Sequence, residues 1–373
     1  MVYRAIGLMS GSSMDGLDIA FVSFEEIRGI WTFDLRHQKC VPYSQELKKQ
    51  LAEAASLTPR QFIQLDHDLG VFMGNTVKAF IQEHTLDHQV QLIVNHGHTI
   101  FHEPEEEITT QIGSAAAIAA INGINVIDQL RSLDVALGGQ GAPLVPKGEQ
   151  LLFPDYNSFL NLGGIANISF HKKQSDQNAQ SDHQVQAFDV TVANQALNYL
   201  AMLEGQPYDK DGAIAATGQV NTQLLSSLNK LPYFAAVGPK SLANQYFSNI
   251  IRPLLDQAIL STQDKLRTVV EHIASQVAYA AGAAMASSLD AEKKILITGG
   301  GAHNTFLVQR ISAALAPYGI QTNLPDTQII DYKEAIIMGL LGLLRWREEN
   351  TVLSNTGASR PSIGGAVWIG QPY

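Results

Sequence analysis

Ala5-Ile6-Gly7-Leu8-Met9 is apolar, Ser10-Gly11-Ser12-Ser13-Met14-Asp15-Gly16 is a polar turn bounded by glycine, and Leu17 to Phe24 alternates around Asp18 and Ser23. The reading is strand, loop, strand, since period-two alternation places one face of a strand in a core. Phe159-Leu160-Asn161-Leu162-Gly163-Gly164-Ile165-Ala166-Asn167-Ile168-Ser169-Phe170 repeats the pattern. The spacing is roughly 150 residues, about one domain length, so the chain reads as two similar halves.

Around these hairpins strands and helices alternate, which makes an α/β protein. Thr58-Pro59 opens a helix that Phe62, Leu65, Leu69, Phe72, Val77 and Phe80 continue at helical spacing. Val90 to Val94 reads as a short strand ending in Asn95-His96-Gly97-His98-Thr99, and Ile124 to Ile127 as another, running into Asp128-Gln129-Leu130-Arg131. Helical patterns follow at 193–204, 241–260, 264–289 and 332–348, and Lys294 to Ile297 is a strand before Thr298-Gly299-Gly300-Gly301-Ala302-His303-Asn304. The polar tract from His171 to Gln186 reads as an exposed hairpin tip.

The first loop offers backbone N–H groups to phosphate oxygens. It has no lysine and passes into a strand, whereas P-loop and Rossmann turns pass into a helix. A β-hairpin wrapping nucleotide phosphates, as in actin-type kinases, fits instead. Alone it is an ordinary turn; with Gly163-Gly164 it forms a pair able to pinch a phosphate chain. The glycines 299–301 let a flat adenine or ribose approach backbone closely.

Asp189 follows a short apolar approach and is a candidate general base, with a helix cap as the plainer alternative. Asp209-Lys210-Asp211-Gly212 opens like a calcium loop, but Val220 stands where the twelfth-position glutamate belongs, so it reads as a turn. His96, His98 and His102 are not read as a metal set, since no carboxylate clamp is evident beside them. Arg131 could grip an anionic group bidentately, or form a surface ion pair.

Composition narrows the partners. The 373 residues are 45% hydrophobic and carry a net charge of −10. That allows two cores, and the acidic balance speaks against nucleic acid. The single Cys40 leaves no disulfide framework and suits a reducing compartment. No apolar stretch reaches the about 18 residues of a membrane span, and no signal peptide is read at the N-terminus, so a cytoplasmic location is expected.

Together these motifs resemble the anhydro-N-acetylmuramic acid kinase family. Gly7 to Asp18, Gly138-Gly139-Gln140-Gly141-Ala142-Pro143-Leu144-Val145-Pro146, Leu160 to Ser169, Gln206 to Gly212 and Gly299 to Asn304 match in order and spacing, across nearly the whole chain. The resemblance implies an actin-like ATPase fold: two RNase H-like domains, 1–130 plus about 355–373 and 131–354, with nucleotide in the cleft between them. It implies ATP and Mg²⁺, and as substrate the amino sugar 1,6-anhydro-N-acetylmuramic acid. Its anhydro bridge is opened by water while the 6-oxygen is phosphorylated, in peptidoglycan recycling. Asp189 matches the aspartate that activates this water. Gly11, Ser12, Ser13, Met14, Asp15, Gly16, Leu17 and Asp18 match the ATP loop, joined by Gly163, Gly164, Gly299, Gly300, Gly301 and Asn304. Thr99, Arg131 and Glu334 fall at sugar-facing positions, and family analogy suggests a homodimer.

The chain also departs from the family. Thr-Gly-Pro-Gly-Asn after the aspartate is here Val190-Thr191-Val192-Ala193-Asn194, Thr-Gly-Arg-Glu is Leu242-Ala243-Asn244-Gln245, and Gly-Gln-Thr is Gly97-His98-Thr99. If the family loop uses positive φ, Val192 and Ala193 must take another path or bear strain. Two alternatives therefore stand beside an active kinase: a kinase for a related sugar, or a member binding nucleotide or a partner without turnover.

Overall fold

The computed structural model describes residues 1–11, 14–171, 185–236, 240–242, 245–285, 293–353 and 358–370. Its strands are β1 (Val2–Ser10), β2 (Gly16–Ile27), β3 (Ile30–Pro42), β4 (Leu92–Glu103), β5 (Ile108–Ile112), β6 (Val126–Asp128), β7 (Ser158–Leu162), β8 (Ile165–His171), β9 (Val185–Val192), β10 (Lys293–Thr298), β11 (Ile320–Asn323) and β12 (Ala366–Trp368). They form two sheets, ordered β12-β6-β4-β1-β2-β3 with β5 on β4, and β11-β10-β7-β8-β9.

In each sheet the first three strands are an antiparallel meander, and the next two run parallel to the first. The spatial order 3-2-1-4-5 thus occurs twice, the RNase H-like arrangement that the family resemblance implies, in the two similar halves that the repeated hairpins predict. Sequence chemistry sets the joints. Arg28 and Gly29 have φ of 55° and 82°, giving the two-residue turn that matches strand twist between β2 and β3. Thr58 N–H donates to Gln61 Oε1 at 3.1 Å, and Pro59 occupies the first turn of helix Pro59–Glu83. Leu65, Leu69, Val77 and Phe80 on this helix are buried in the core it shares with Ile6, Leu8, Leu17 and Ile93. The second core gathers Leu160, Ile168 and Val190 with Leu266, Val270 and Val277 of helix Thr262–Met285.

The chain divides into one compact unit of Met1–Pro154 with Tyr332–Tyr373 and another of Asp155–Asp331. Sequence reading puts these divisions at 130/131 and 354/355. The difference has a packing cause. On helix Val145–Leu152, a Cβ at Gly148 would lie 2.4 Å from Ile337 Cγ2, and Glu149 pairs with Lys333. On helix Thr327–Trp346, Gly342 touches Val94, and a Cβ at Gly7 would lie 1.9 Å from the Ala335 carbonyl oxygen. Helix Val145–Leu152 and the part of the later helix from Tyr332 onward therefore pack within the first unit.

Other readings shift locally. β4 runs on through His96 to Glu103, with Gly97 at φ 76°. The expected helix over 241–260 is a π-turn, Phe247–Ile251, followed by Arg252–Gln257. Pro253 lacks the N–H that a regular α-turn needs there. Residues 172–184 of the polar tract, and 286–289 of the expected helix over 264–289, lie outside the described residues. No helix among the described residues is long and apolar enough to cross a membrane.

Candidate active site

In the first unit the β1–β2 turn closes through Met14 N–H to the Gly11 carbonyl at 3.1 Å, with Met14 at φ 55°. Ser12 and Ser13 lie outside the described residues. The Asp15 carbonyl accepts from Tyr43 N–H, Leu17 is wholly buried, and Asp18 stands between Met9 and Cys40 in the sheet register. Below the turn, Tyr43 OH donates to Ser10 Oγ at 2.7 Å, and Ser10 Oγ lies 2.9 Å from His98 Nδ1. Burial pushes Tyr43 up to about 12 and His98 down to about 4, so both groups stay neutral at pH 7.

Arg131 lies beyond the end of β6. Its Nε donates to His96 Nε2 at 3.0 Å and its NH1 to the Gly141 carbonyl at 2.7 Å. Gly141 N–H in turn donates to buried Asp134 at 2.7 Å, which fixes the glycine loop 138–141. Burial lowers Arg131 to about 10, leaving it cationic, and the Glu334 charge opposes that shift. Burial raises Glu334, against the charges of Lys333 and Arg131. Arg131 and Glu334 thus feel each other's charge. Thr99 lies on β4 opposite Gln111, and no contact joins it to them. His102 Nδ1 meets Thr109 Oγ1 at 3.1 Å. Among the described residues no group of three or more His, Cys, Asp or Glu could hold a metal ion.

In the second unit three distant segments converge. The β7–β8 turn carries Gly163 and Gly164, whose carbonyls accept from Ala193, Asn194 and Gln195 at the start of helix Asn194–Leu203. Asn194 Nδ2 donates to the Leu162 carbonyl at 3.0 Å. The loop 299–301 presses on both: a Cβ at Gly299 would fall 2.4 Å from Asn161 Oδ1, and one at Gly301 2.9 Å from Asn194 Oδ1. A Cβ at Gly300 would meet only Asn194 Nδ2, at 3.9 Å, so its backbone lies open to a ligand. Asn304 Oδ1 caps helix Thr305–Leu315 through Leu307 N–H. The turn at 209–212 rests on the same loop: Thr305 Oγ1 donates to the Asp211 carbonyl, and a Cβ at Gly212 would collide with Asn304 Oδ1 at 2.5 Å. Asp209 caps the next helix, accepting from Ile214 and Ala215 N–H.

Asp189 lies within β9 rather than at a helix start. A bulge at Val190 interrupts the pairing, so that Asp189 faces Asn167 and Thr191 faces Ala166. Consecutive partners on β8 point to opposite faces, and the extra residue therefore turns Thr191 away from Asp189. Asp189 Oδ2 accepts from Leu242 N–H at 2.8 Å; Oδ1 has no hydrogen bond among the described residues. Burial holds its carboxyl above the usual range, opposed by the Leu242 bond.

Val190 to Ala193 takes the alternative path. β9 extends through Val192, and none of the four residues has positive φ. Thr191 Oγ1 lies 2.9 Å from His272 Nε2, and His272 Nδ1 2.6 Å from Asn229 Oδ1. Ala243 and Asn244 of the other altered segment lie outside the described residues. Sequence reading gave no role to Asn161, Asn194 and Tyr233 and weighed His96 only as a metal ligand; of these, Asn194, in line with the family's asparagine, carried a local signal.

The family model for anhydro-N-acetylmuramic acid kinase matches residues 3–370. The anhydro-N-acetylmuramic acid kinase of Pasteurella multocida is 33% identical over 383 residues, spanning 99% of this chain and 96% of that protein. That of Mannheimia succiniciproducens is 32% identical over 378 residues, spanning 97% and 95%. A solved activator of the 2-hydroxyisocaproyl-CoA dehydratase from Clostridium difficile with bound ADPNP superposes loosely, with a TM-score of 0.41 and 14% identity over 92% of this chain and 96% of that one, and adds nothing to the assignment. By the match along its length, this chain belongs to the anhydro-N-acetylmuramic acid kinase family.

Proposed function

We propose that this chain is an active ATP-dependent kinase for 1,6-anhydro-N-acetylmuramic acid, with Asp189 as the base. The observation carrying the role of Asp189 is its asymmetric carboxylate: Oδ2 is anchored by Leu242 N–H, while Oδ1 has no hydrogen bond among the described residues. Oδ1 takes a proton from water as the water oxygen bonds to C1 of the sugar. The C1–O6 bond breaks, O6 receives the γ-phosphoryl group, and ADP leaves. The products are N-acetylmuramate 6-phosphate, ADP and one proton. Arg131 and Glu334 bind the sugar, Arg131 through the N–H groups that His96 and Gly141 leave unused.

ATP would supply the phosphoryl group. The open backbone at Gly300 and the turns at 11–16 and 163–164 suit phosphates and a nucleoside. Mg²⁺ would be held through a carboxylate of the β1–β2 hairpin, Asp15 or Asp18, and would neutralise phosphate charge. Such an ion takes one or two carboxylates and brings its own waters. The departures at 190–193 are accommodated without positive φ, so the segment carries no backbone strain of that kind. A cytoplasmic setting agrees with the exposed thiol of Cys40.

The test is to incubate the protein with ATP, Mg²⁺ and the anhydro-sugar in ¹⁸O-water. The expected product is N-acetylmuramate 6-phosphate with one label at C1 and one ADP per sugar. ATP turnover indifferent to the sugar, or phosphorylation of another amino sugar alone, would overturn the reading. Light scattering on the same sample reads whether the protein is the homodimer that family analogy suggests.

A further inference from the structure

We propose that Tyr233 is a positioning residue for Asp189, a role that rests on Asp189 being the base. Three residues form a closed ring of hydrogen bonds. Asp189 N–H donates to the Lys240 carbonyl at 2.9 Å, Lys240 Nζ donates to the Tyr233 carbonyl at 2.9 Å, and Tyr233 OH donates back to the Asp189 carbonyl at 2.6 Å. Two residues beyond Lys240, Leu242 N–H holds the carboxylate itself.

The ring sits at the bulge, where the ladder on either side of Asp189 is out of step. Ladder bonds there constrain the backbone less than in a regular strand. The phenol supplies the missing constraint. Burial, and then the Asp189 charge, raise the Tyr233 phenol, so it remains a donor at every working pH. Its ring is braced by Phe234 and Tyr246 and lies 4.4 Å from the Lys240 ammonium. The hydroxyl bonds the main chain, not the carboxylate, so it leaves Oδ1 untouched. A displacement near 1 Å at a reacting group can cost about 10²-fold in rate; loss of one of several constraints should cost less.

The experiment is a cycle of Tyr233→Phe, Asp189→Asn and the double variant, with kcat, both KM values and melting temperature measured. Tyr233→Phe is expected to lower kcat about tenfold, with KM for sugar and ATP within about twofold. The double variant should be no slower than Asp189→Asn, because the hydroxyl acts through that carboxylate. If Asp189→Asn keeps wild-type kcat, the base reading fails and this inference with it. If Asp189→Asn is crippled but Tyr233→Phe matches wild type, or the two losses multiply, the positioning role alone is overturned. Should Tyr233→Phe not fold, Lys240→Met removes another side of the ring. It should show the same loss in kcat at unchanged KM, and wild-type kcat there overturns the proposal.

Discussion

Arg131 Nε–H donates to His96 Nε2 at 3.0 Å, while His96 Nδ1 lies 2.9 Å from the Gly97 carbonyl oxygen. A carbonyl only accepts, so the proton sits on Nδ1 and Nε2 is bare. Burial, followed by the Arg131 charge, lowers the imidazole to about 3. The guanidinium is therefore aimed by a neutral ring. Replacing His96 by Ala should raise KM for the sugar about 10- to 100-fold, from the roughly 1.5–3 kcal/mol of a charged hydrogen bond, with kcat little changed. Steady-state kinetics check this, and ¹⁵N spectra should show His96 as one neutral tautomer from pH 5 to 8.

For Asp189 the pH dependence has a definite sign. The base works only when ionised, and burial raises its pKa above the usual carboxylate range. The rate should fall as pH drops through that raised value. Asp189→Asn should remove this acid limb and lower kcat about 10²- to 10⁴-fold, with nucleotide affinity unchanged. Stability runs the other way: a raised carboxyl favours the fold below its unfolded pKa, and that contribution is lost as pH rises through the folded one. Asp189→Asn should therefore melt higher than wild type at neutral pH, and the gap should close in acid.

The altered segment after Asp189 is structural. Thr191 is fully buried, and its hydroxyl is the donor for His272 Nε2, since His272 Nδ1 must donate to Asn229 Oδ1. Thr191→Val should cost about 1–3 kcal/mol by leaving the imidazole unsatisfied. Installing Thr-Gly-Pro-Gly at 190–193 removes that hydroxyl, and it sets a proline, which fixes φ and disfavours a paired strand, opposite Ile165. The expected outcome is a lower melting temperature and no gain in rate, read by calorimetry and a coupled assay.

Much of this was legible in the sequence where chemistry is local. The glycine turns at 11–16 and 162–165, the Thr58-Pro59 helix start and the strands around them are short-range signals, and the sheets follow from their duplication. The bulge at Val190 was not, because it depends on register with β8, more than twenty residues away across a polar tract. Nor was the Arg131–His96 bond, which joins positions 35 residues apart. The unit divisions escaped for a similar reason: Gly148 and Glu149 look like ordinary helix positions until Ile337 and Lys333 pack on them.

That ion pair makes its own prediction. Lys333 Nζ meets Glu149 Oε1 at 2.7 Å, each side chain only 3% exposed. Lys333→Met alone should cost about 3–5 kcal/mol, because it takes away the ammonium that meets a buried carboxylate. Adding Glu149→Leu should restore much of the loss. Denaturant titrations of the two variants separate these outcomes.

The helix Thr327–Trp346 has a consequence for how the protein is made. It closes the core of the first unit against Gly7 and Val94, yet it is translated long after them. The unit Asp155–Asp331 is one uninterrupted stretch and can finish folding on the ribosome. At about 5–20 residues per second, the first sheet waits roughly 10–35 s for its covering helix, with an apolar face bare. The half made first is the half completed last.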